Sequence, residues 1–358
     1  MRFLDPIDGV ILHTAGNQDG RLLCALKGTG NGARICVSET GEISVCRRQD
    51  GIALGEVHIP VGGAKLVALD DEGRTSVASI GRVHTPRKVF RLSVDDCVWF
   101  LQYLAAHADA CGSLFDAPLM ALFHRLHEEY GVAVHMNIYN ECPEHGGFAL
   151  SRMPERYREE WLRNRDWLRL SFHARADKPY WPYTDGDDRA LYRDCAEVMA
   201  QIRRFAGAVG EVTTLHWATA SGACIKTLYD CGVRALLGDF AYDPEDGGEY
   251  LCYRLGHEPF EAVRKYSFWR DRESGMIFFP CDVVLNTLRP DEIPAELDRF
   301  AARWPGRNFV DILIHEQYFY PDYVNYEPDY EQRLRAGIEW CLAHDYAPGL
   351  VSQVLGLH

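Results

Sequence analysis

The chain has 358 residues, of which 47% are hydrophobic, and carries a formal net charge of −14 with a pI near 5.5. This length and hydrophobic fraction are sufficient for one large domain and a smaller one. The negative charge argues against nucleic acid and anionic membranes as partners, because it repels polyanions. The negative charge is compatible with a small neutral or cationic substrate.

The N-terminus and the cysteines bear on cellular location. The segment MRFLDPIDGVILHTAGNQDG acquires Asp, Pro and Gly early, so it lacks the apolar core of a signal peptide. No apolar run elsewhere approaches the roughly 18–20 residues of a membrane span. The twelve cysteines form no C-x-x-C pairs and lie mostly in apolar contexts. This pattern favours free thiols in a cytoplasmic protein, although the even count leaves a secreted, disulfide-bonded form open.

Residues 1–86 are predicted to form a small β-rich accessory domain. Short apolar segments such as GVILHTAG, RLLCALKG and KLVALDD are separated by Gly, Asn and Asp turns, a spacing typical of antiparallel hairpins. Pro86 interrupts this pattern, and we place the domain boundary there. A second domain then covers residues 87–358.

After Pro86 the pattern changes to strand, loop and helix. Seven segments are predicted strands: KVFRLSV, VAVHMNIY, WLRLSFH, EVTTLHWA, VRALLGDF, MIFFPCDVV and FVDILIHE. The first long helix is expected to use Asp116 as its cap and Pro118 in its first turn, and to end at Gly131. Strands alternating with helices indicate a parallel α/β barrel or a doubly wound sheet.

Titratable residues recur at the carboxyl ends of the predicted strands, where parallel α/β folds carry their active sites. They are Asp95, Asp96, His173, His216, Asp239, Asp282 and His315. The adjacent Asp95 and Asp96 are costly unless a metal, a proton or a cation compensates their charge. A strand-to-helix turn, with one aspartate as N-cap, is the alternative interpretation.

Asp177 follows His173 by four residues, so a helical turn would point both side chains the same way. Together with Asp96 they would form one imidazole and two carboxylates, a set that leaves coordination positions open for water and substrate. An ordinary surface His–Asp pair is the alternative.

The order SVDD, HARAD and LIH, over about residues 88–320, resembles the polysaccharide deacetylase (NodB-homology) family of metal-dependent carbohydrate esterases. The resemblance implies a distorted seven-stranded β/α barrel. It implies Asp95 as catalytic base, His315 as general acid, and the metal ligands Asp96, His173 and Asp177. Asp177 stands where the family has a second histidine. The implied divalent ion is zinc first, with iron, manganese or cobalt also suited to such a set.

The third family motif, R-x-P-[YF], has no match, since the corresponding segment reads LHWATASG. We expect His216 to lie beside Asp95 in place of the family's arginine, with a core histidine as the alternative. Aromatic residues near the motifs are expected to stack on a sugar, although protein interfaces are also rich in aromatic residues. The expected substrate-binding residues are Trp181, Tyr183, Trp217 and Tyr318.

The leading hypothesis is a metal-dependent hydrolase that removes an acyl group, above all acetyl, from an N-acylated sugar or polysaccharide, or from a small amide. A second hypothesis is a barrel that has lost catalysis and binds a glycan or a protein partner, as the missing third motif suggests. A third is a metal-dependent hydrolase of a different C–N bond. If the chain associates, a homodimer is expected on frequency alone.

Overall fold

In the computed structural model, which describes residues 1–184 and 187–357, short strands precede residue 86 and α/β units follow it. The early strands are β1 (Arg2–Asp5), β2 (Val10–Ala15), β3 (Arg21–Lys27), β4 (Arg34–Val37), β5 (Ile43–Val45), β6 (Arg47–Gln49), β7 (Ile52–His58), β8 (Ala64–Leu69) and β9 (Thr75–Thr85). The later strands are β10 (Lys88–Cys97), β11 (Val134–Tyr139), β12 (Glu141–Cys142), β13 (Phe148–Ala149), β14 (Leu168–Ala174), β15 (Val212–Thr214), β16 (Ala235–Gly238), β17 (Ala241–Tyr242), β18 (Glu249–Tyr250), β19 (Phe268–Arg270), β20 (Ile277–Pro280), β21 (Val283–Val284), β22 (Phe309–His315) and β23 (Tyr346–Pro348).

All the α-helices in the described part of the chain follow β10 in the sequence. They are α1 (Trp99–Ala106), α2 (Pro118–Tyr130), α3 (Arg158–Arg163), α4 (Asp188–Ala206), α5 (Gly222–Asp230), α6 (His257–Tyr266), α7 (Ile293–Arg303), α8 (Tyr330–Ala343) and α9 (Val351–Leu355). Within the described part of the chain, none of them combines the length and apolarity that crossing a bilayer requires.

The strand β10 lies at the centre of a parallel sheet. It pairs with β11 on one side and β22 on the other, in the order β14-β11-β10-β22-β21. Nearly all of its residues are buried, as the apolar run KVFRLSV predicts for a strand covered on both faces. The strands β15, β16 and β20 form a second parallel group. Each of the seven predicted strands overlaps an observed strand, the sixth covering both β20 and β21, and the mixed α/β class is confirmed.

The second parallel group continues into the N-terminal strands. β20 pairs with β19, β19 pairs with β2, and β2 pairs with β9, so strands from both predicted domains share one nine-stranded sheet. β1, β3, β7 and β6 form a separate antiparallel sheet. The change of strand type at residue 86 was predicted, but the hydrogen-bonded sheet continues across that boundary. Independent folding of residues 1–86 stays a prediction.

The helix α2 corresponds to the first long helix predicted from the sequence, and its two ends can be compared with the prediction. It begins at Pro118, and Gly131 follows its last residue with a φ of 69°, which glycine adopts without strain. Asp116 is not its cap, however. The cap position is Ala117, and the Asp116 carboxylate instead accepts a hydrogen bond from the backbone amide of Ser113 in the preceding turn. The bounds are confirmed and the capping residue was wrong.

Two buried ion pairs lie among the parallel strands. Arg91 on β10 faces Asp311 on β22 at 3.2 Å, and neither side chain is exposed. Arg307 binds both carboxylate oxygens of Asp282, at 2.7 and 2.8 Å. Burial raises the pKa of Asp311 well above its usual range even though Arg91 opposes the shift. Asp282, predicted as a strand-end site residue, is therefore a structural partner of Arg307.

We expect Arg91→Ala to lower the free energy of unfolding by about 3–5 kcal/mol, because it leaves the carboxylate of Asp311 buried without its cation. The double variant Arg91→Met/Asp311→Leu should lose much less, since it removes both charges and fills the space. Urea titrations of the three proteins measure the difference. A double variant as unstable as Arg91→Ala would show that packing, rather than the unpaired charge, dominates.

Candidate metal centre

The carboxyl ends of β10, β14 and β22 and the turns after β15 and β16 border one cavity of about 380 Å³, here called the strand-end cavity. Parallel strands bring their carboxyl ends to one edge, which explains why residues distant in sequence meet there. Eight of the ten predicted site residues line it: Asp95, Asp96, His173, Asp177, His216, Trp217, His315 and Tyr318. Trp181 and Tyr183 are not among its lining residues.

The two adjacent aspartates diverge because β10 ends in an irregularity. Its register with β11 shifts between Val94 and Cys97, and Asp96 has a left-handed φ of 61°. Aspartate tolerates this conformation better than most residues. The carboxylate of Asp95 accepts a hydrogen bond of 2.6 Å from Asn137, whereas that of Asp96 faces His173. Each carboxylate thus has its own environment.

The alternative in which an aspartate caps the following helix is wrong. The cap position of α1 is Val98, and the amides of Val98, Trp99 and Phe100 all donate hydrogen bonds to the carboxylate of Glu316. Glu316 follows β22 directly, so this contact ties the end of β22 to the start of α1. Asp95 and Asp96 are left free to face the cavity.

One side-chain atom from each of Asp96, His173 and His216 lies close to the other two. The Nε2 atom of His173 lies 3.0 Å from Oδ1 of Asp96 and 3.3 Å from Nδ1 of His216. Nδ1 of His216 lies 3.5 Å from the same oxygen. Two ligands held about 2.1 Å from a tetrahedral ion are separated by roughly 3.4 Å. Asp96, His173 and His216 therefore already have the mutual spacing of a zinc-type ligand set.

In both His173 and His216, the ring nitrogen that points away from Asp96 makes a hydrogen bond to a backbone carbonyl. These contacts also support the two histidines as possible metal ligands. Nδ1 of His173 contacts the carbonyl oxygen of Thr214 at 2.5 Å, and Nε2 of His216 contacts that of Asp177 at 3.0 Å. A carbonyl only accepts, so these outer nitrogens carry the protons. In the neutral rings the inner nitrogens then present lone pairs toward Asp96, as metal-binding histidines do. Without a metal, a proton on Nε2 of His173 satisfies this group by donating to Asp96, and a divalent cation could take the place of that proton.

Protons and a metal would compete for this position. Burial disfavours charge on Asp96 and His173, yet their mutual hydrogen bond holds the pKa of Asp96 well below its usual range and raises the pKa of His173. Tyr139 also donates a hydrogen bond to Asp96. A negative carboxylate is therefore available to a divalent cation at neutral pH.

His216 takes a different place from the one expected. Among the described residues, no hydrogen bond or ion pair joins it to Asp95, whose partner is Asn137. After β15 the chain turns sharply, with a φ of 62° at Trp217, and this turn directs His216 toward Asp96. The side chain of Asp177 is 42% exposed, and its carboxylate lies 4.0 Å from Nε2 of His216. The geometry favours His216 over Asp177 as the third ligand.

His315 lies on the other side of Asp95. The two residues are paired in the register of β10 and β22, and Nδ1 of His315 is 2.9 Å from the side-chain oxygen of Asn286. This contact fixes the proton on Nδ1 when the ring is neutral and leaves Nε2 free to exchange one. His315 therefore lines the cavity beside Asp95, and its role as general acid stays a prediction.

The predicted substrate-binding aromatics differ in their exposure. Trp217 and Tyr318 line the cavity, while Trp181 packs on Trp217 with ring centroids 5.0 Å apart. Tyr183 is buried, and its hydroxyl donates a hydrogen bond to Asp194 and accepts one from the amide of Arg175. Its hydroxyl therefore serves the packing of α4, and its prediction as a substrate contact is corrected.

Sequence analysis overlooked Asn137, Tyr139 and Asn286, which hold Asp95, Asp96 and His315 respectively. A signal for the first two was present. In VAVHMNIY the polar side chains occupy every second position, which in a strand places them on one face. Asn286 lies in a short turn after β21, where no periodic pattern identifies it.

Comparisons with known proteins give no family match. No family model matches the chain, and no curated protein matches it. Among solved structures, a 4-α-glucanotransferase from Thermococcus litoralis is 12% identical with a TM-score of 0.48, covering 76% of this chain and 40% of its own. This chain thus spans less than half of that protein.

Two further structures align over most of their own length. A family 4 acetyl xylan esterase from Clostridium thermocellum, in complex with a cobalt ion, is 13% identical with a TM-score of 0.41 and covers 75% of this chain and 91% of its own. A family 4 pseudoenzyme from Bacillus anthracis is 10% identical with a TM-score of 0.40 and covers 81% and 83%. Likenesses this weak decide neither family nor activity, so function must be inferred from the site itself.

We expect His216→Ala to weaken zinc binding by more than about 10²-fold, beyond the loss typical of removing a hydrogen-bonding partner of a ligand. Asp177→Asn should change it by less than about tenfold, because the backbone carbonyl that holds His216 remains. Zinc competition with a chelating dye measures both, with the exposed His257→Ala as control. Loss of zinc in Asp177→Asn alone would restore the ligand set predicted from sequence.

Proposed function

We propose that this chain is a metal-dependent hydrolase that removes an acyl group, above all acetyl, from an N-acylated sugar or a related amide. The observation that carries the proposal is that Asp95 and His315, paired across β10 and β22, line the same strand-end cavity as the cluster of Asp96, His173 and His216. A Lewis acid site with a base and an acid beside it is suited to metal-assisted amide hydrolysis.

The metal, when bound by Asp96, His173 and His216, would polarise the substrate carbonyl and acidify a water molecule. Two imidazoles and one carboxylate suit zinc, while cobalt, iron and manganese also accept such ligands.

The other groups move protons. Asp95 has one oxygen occupied by Asn137, which leaves the second to take a proton from the attacking water. A C–O bond forms at the acyl carbon, and the C–N bond breaks as His315 donates a proton to the leaving nitrogen. The products are a carboxylate and an amine. Trp217 and Tyr318 offer ring faces on which a sugar can stack.

The fold assignment follows from the same proposal. We assign the seven predicted strands to a distorted barrel of the polysaccharide deacetylase type, with arcs β14-β11-β10-β22-β21 and β15-β16-β20. In such a barrel, catalytic residues occupy the carboxyl ends of the strands. This is where Asp95, His173 and His315 lie.

A second candidate function is glycan binding without catalysis. It is favoured by one observation, namely that Asp95 is held by the neutral amide of Asn137 rather than by a cation. A base lacking a cationic partner is less well organised for proton transfer, and the metal cluster would then serve structure. Turnover measurements decide between the two functions.

We expect Asp95→Asn and His315→Ala each to lower the turnover of N-acetylated sugars by about 10²–10⁴-fold, because each removes one proton-transfer group. Metal content should stay unchanged in both. The loss in His315→Ala should shrink for acetanilides with electron-withdrawing rings, since a good leaving group needs no donated proton. Release of acetate is the measurement, and the exposed Asp109→Asn serves as control.

Two outcomes would contradict this assignment. Full turnover in Asp95→Asn would show that Asp95 is not the catalytic base. Equal fractional losses in His315→Ala on activated and unactivated amides would remove His315 as the acid. Absence of acetate release from the metal-loaded wild type would favour glycan binding.

A further inference from the structure

The charges that line the strand-end cavity are unusually one-sided. Its described lining residues include four aspartates, Asp95, Asp96, Asp177 and Asp239, and neither lysine nor arginine. A divalent ion neutralises only two of those charges. Because a recessed site of one sign concentrates ligands of the opposite sign, the remaining field favours a positively charged substrate and disfavours an anionic one.

The two basic residues that flank Asp177 in the sequence are both paired with carboxylates. Arg175 is paired with Glu141 at 2.9 Å, and Lys178 is paired with Glu144 at 3.1 Å. Both basic side chains are thereby already neutralised by neighbours on the protein surface. Neither of them therefore offsets the negative charge of the four aspartates in the cavity.

Asp239 is the aspartate that the proposed reaction does not use. It follows the last residue of β16, lines the cavity, and has no hydrogen-bond or ion-pair partner among residues 1–184 and 187–357. Burial raises the pKa of Asp239 to about 6, with His315 opposing the shift and Asp95 adding to it. The carboxylate is partly buried and has no partner of its own in the described part of the chain, so a ligand that supplies a cationic donor would stabilise its charged form.

Aromatic rings complete the surroundings that an ammonium group prefers. Tyr180, Trp217, Tyr318 and Tyr323 line the same cavity, in two pairs with centroid separations of 5.6 and 5.2 Å. The faces of such rings attract cations, most strongly where water is excluded. Carboxylate and ring faces together distinguish an ammonium from a hydroxyl of the same size.

We propose, building on the hydrolytic function above, that the site selects N-acylated amines that carry a second, positively charged amine, and that Asp239 is the specificity residue that pairs with that ammonium. Asp239 takes no part in bond breaking. It acts by binding the part of the substrate that does not react.

The test uses three acetamides of equal length: N-(4-aminobutyl)acetamide, N-(4-hydroxybutyl)acetamide and 4-acetamidobutanoate. Their distal groups are cationic, neutral and anionic. Calorimetry on the zinc-loaded wild type should show about tenfold tighter binding of the cationic probe than of the neutral one, as expected for a hydrogen bond to a charged group. The anionic probe should bind weakest. Equal affinities, or a preference for the anion, would overturn the proposal without any variant.

The variant Asp239→Asn identifies the residue responsible. It should reduce the preference for the cationic over the neutral probe to within about twofold, mainly through KM. The exposed Asp109→Asn should keep the wild-type preference. If Asp239→Asn instead lowers kcat equally for both probes, Asp239 positions His315 and is not a specificity residue.

Failure of the two proposals can be told apart. If acetate is released from the cationic and neutral probes with equal kcat/KM, the specificity proposal is wrong and the hydrolytic function stands. If no probe releases acetate but the order of affinities holds, the hydrolytic function is wrong and the preference for a cation stands.

Discussion

The site depends on how the chain leaves β10. A regular strand would send Asp95 and Asp96 to opposite faces, and a helical turn would send both into solvent. The register shift and the left-handed φ of Asp96 instead bring both carboxylates to one cavity but to different partners. The conformation costs about 1–2 kcal/mol, and the hydrogen bonds from Asn137, Tyr139 and His173 offset it.

Around this turn, the backbone orients the proposed metal ligands. The carbonyls of Thr214 and Asp177 hold the outer nitrogens of His173 and His216, so both rings are oriented before a cation arrives. Ligands oriented in advance lose little freedom on binding. Asp177 thereby contributes through its main chain, while its carboxylate lies outside the cluster.

The sequence could predict features that depend on neighbouring residues, but it could not predict features that depend on contacts between distant segments. Apolar runs predicted the seven strands, and strand ends predicted the positions of Asp95, Asp96, His173 and His315, because burial and alternation are local patterns. The choice of His216 over Asp177 depends on a left-handed turn at Trp217 that no propensity indicates. The burial of Tyr183 and the capping of α1 by Glu316 depend on contacts between distant segments, which no local pattern encodes.

The late position of Glu316 in the chain bears on when the site can be completed during synthesis. The three converging ligands lie between residues 96 and 216, whereas His315 and Glu316 lie about 100 residues further along the chain. During synthesis from the N-terminus, the cation-binding group can form before the strand that carries the acid has been made. β22 then docks beside β10, across a sequence separation of some 220 residues that makes this pairing slow. A chain that stops before β22 has the cluster of Asp96, His173 and His216 but lacks both His315 and the Glu316 carboxylate that caps α1, so β22 completes the cavity lining and the start of that helix.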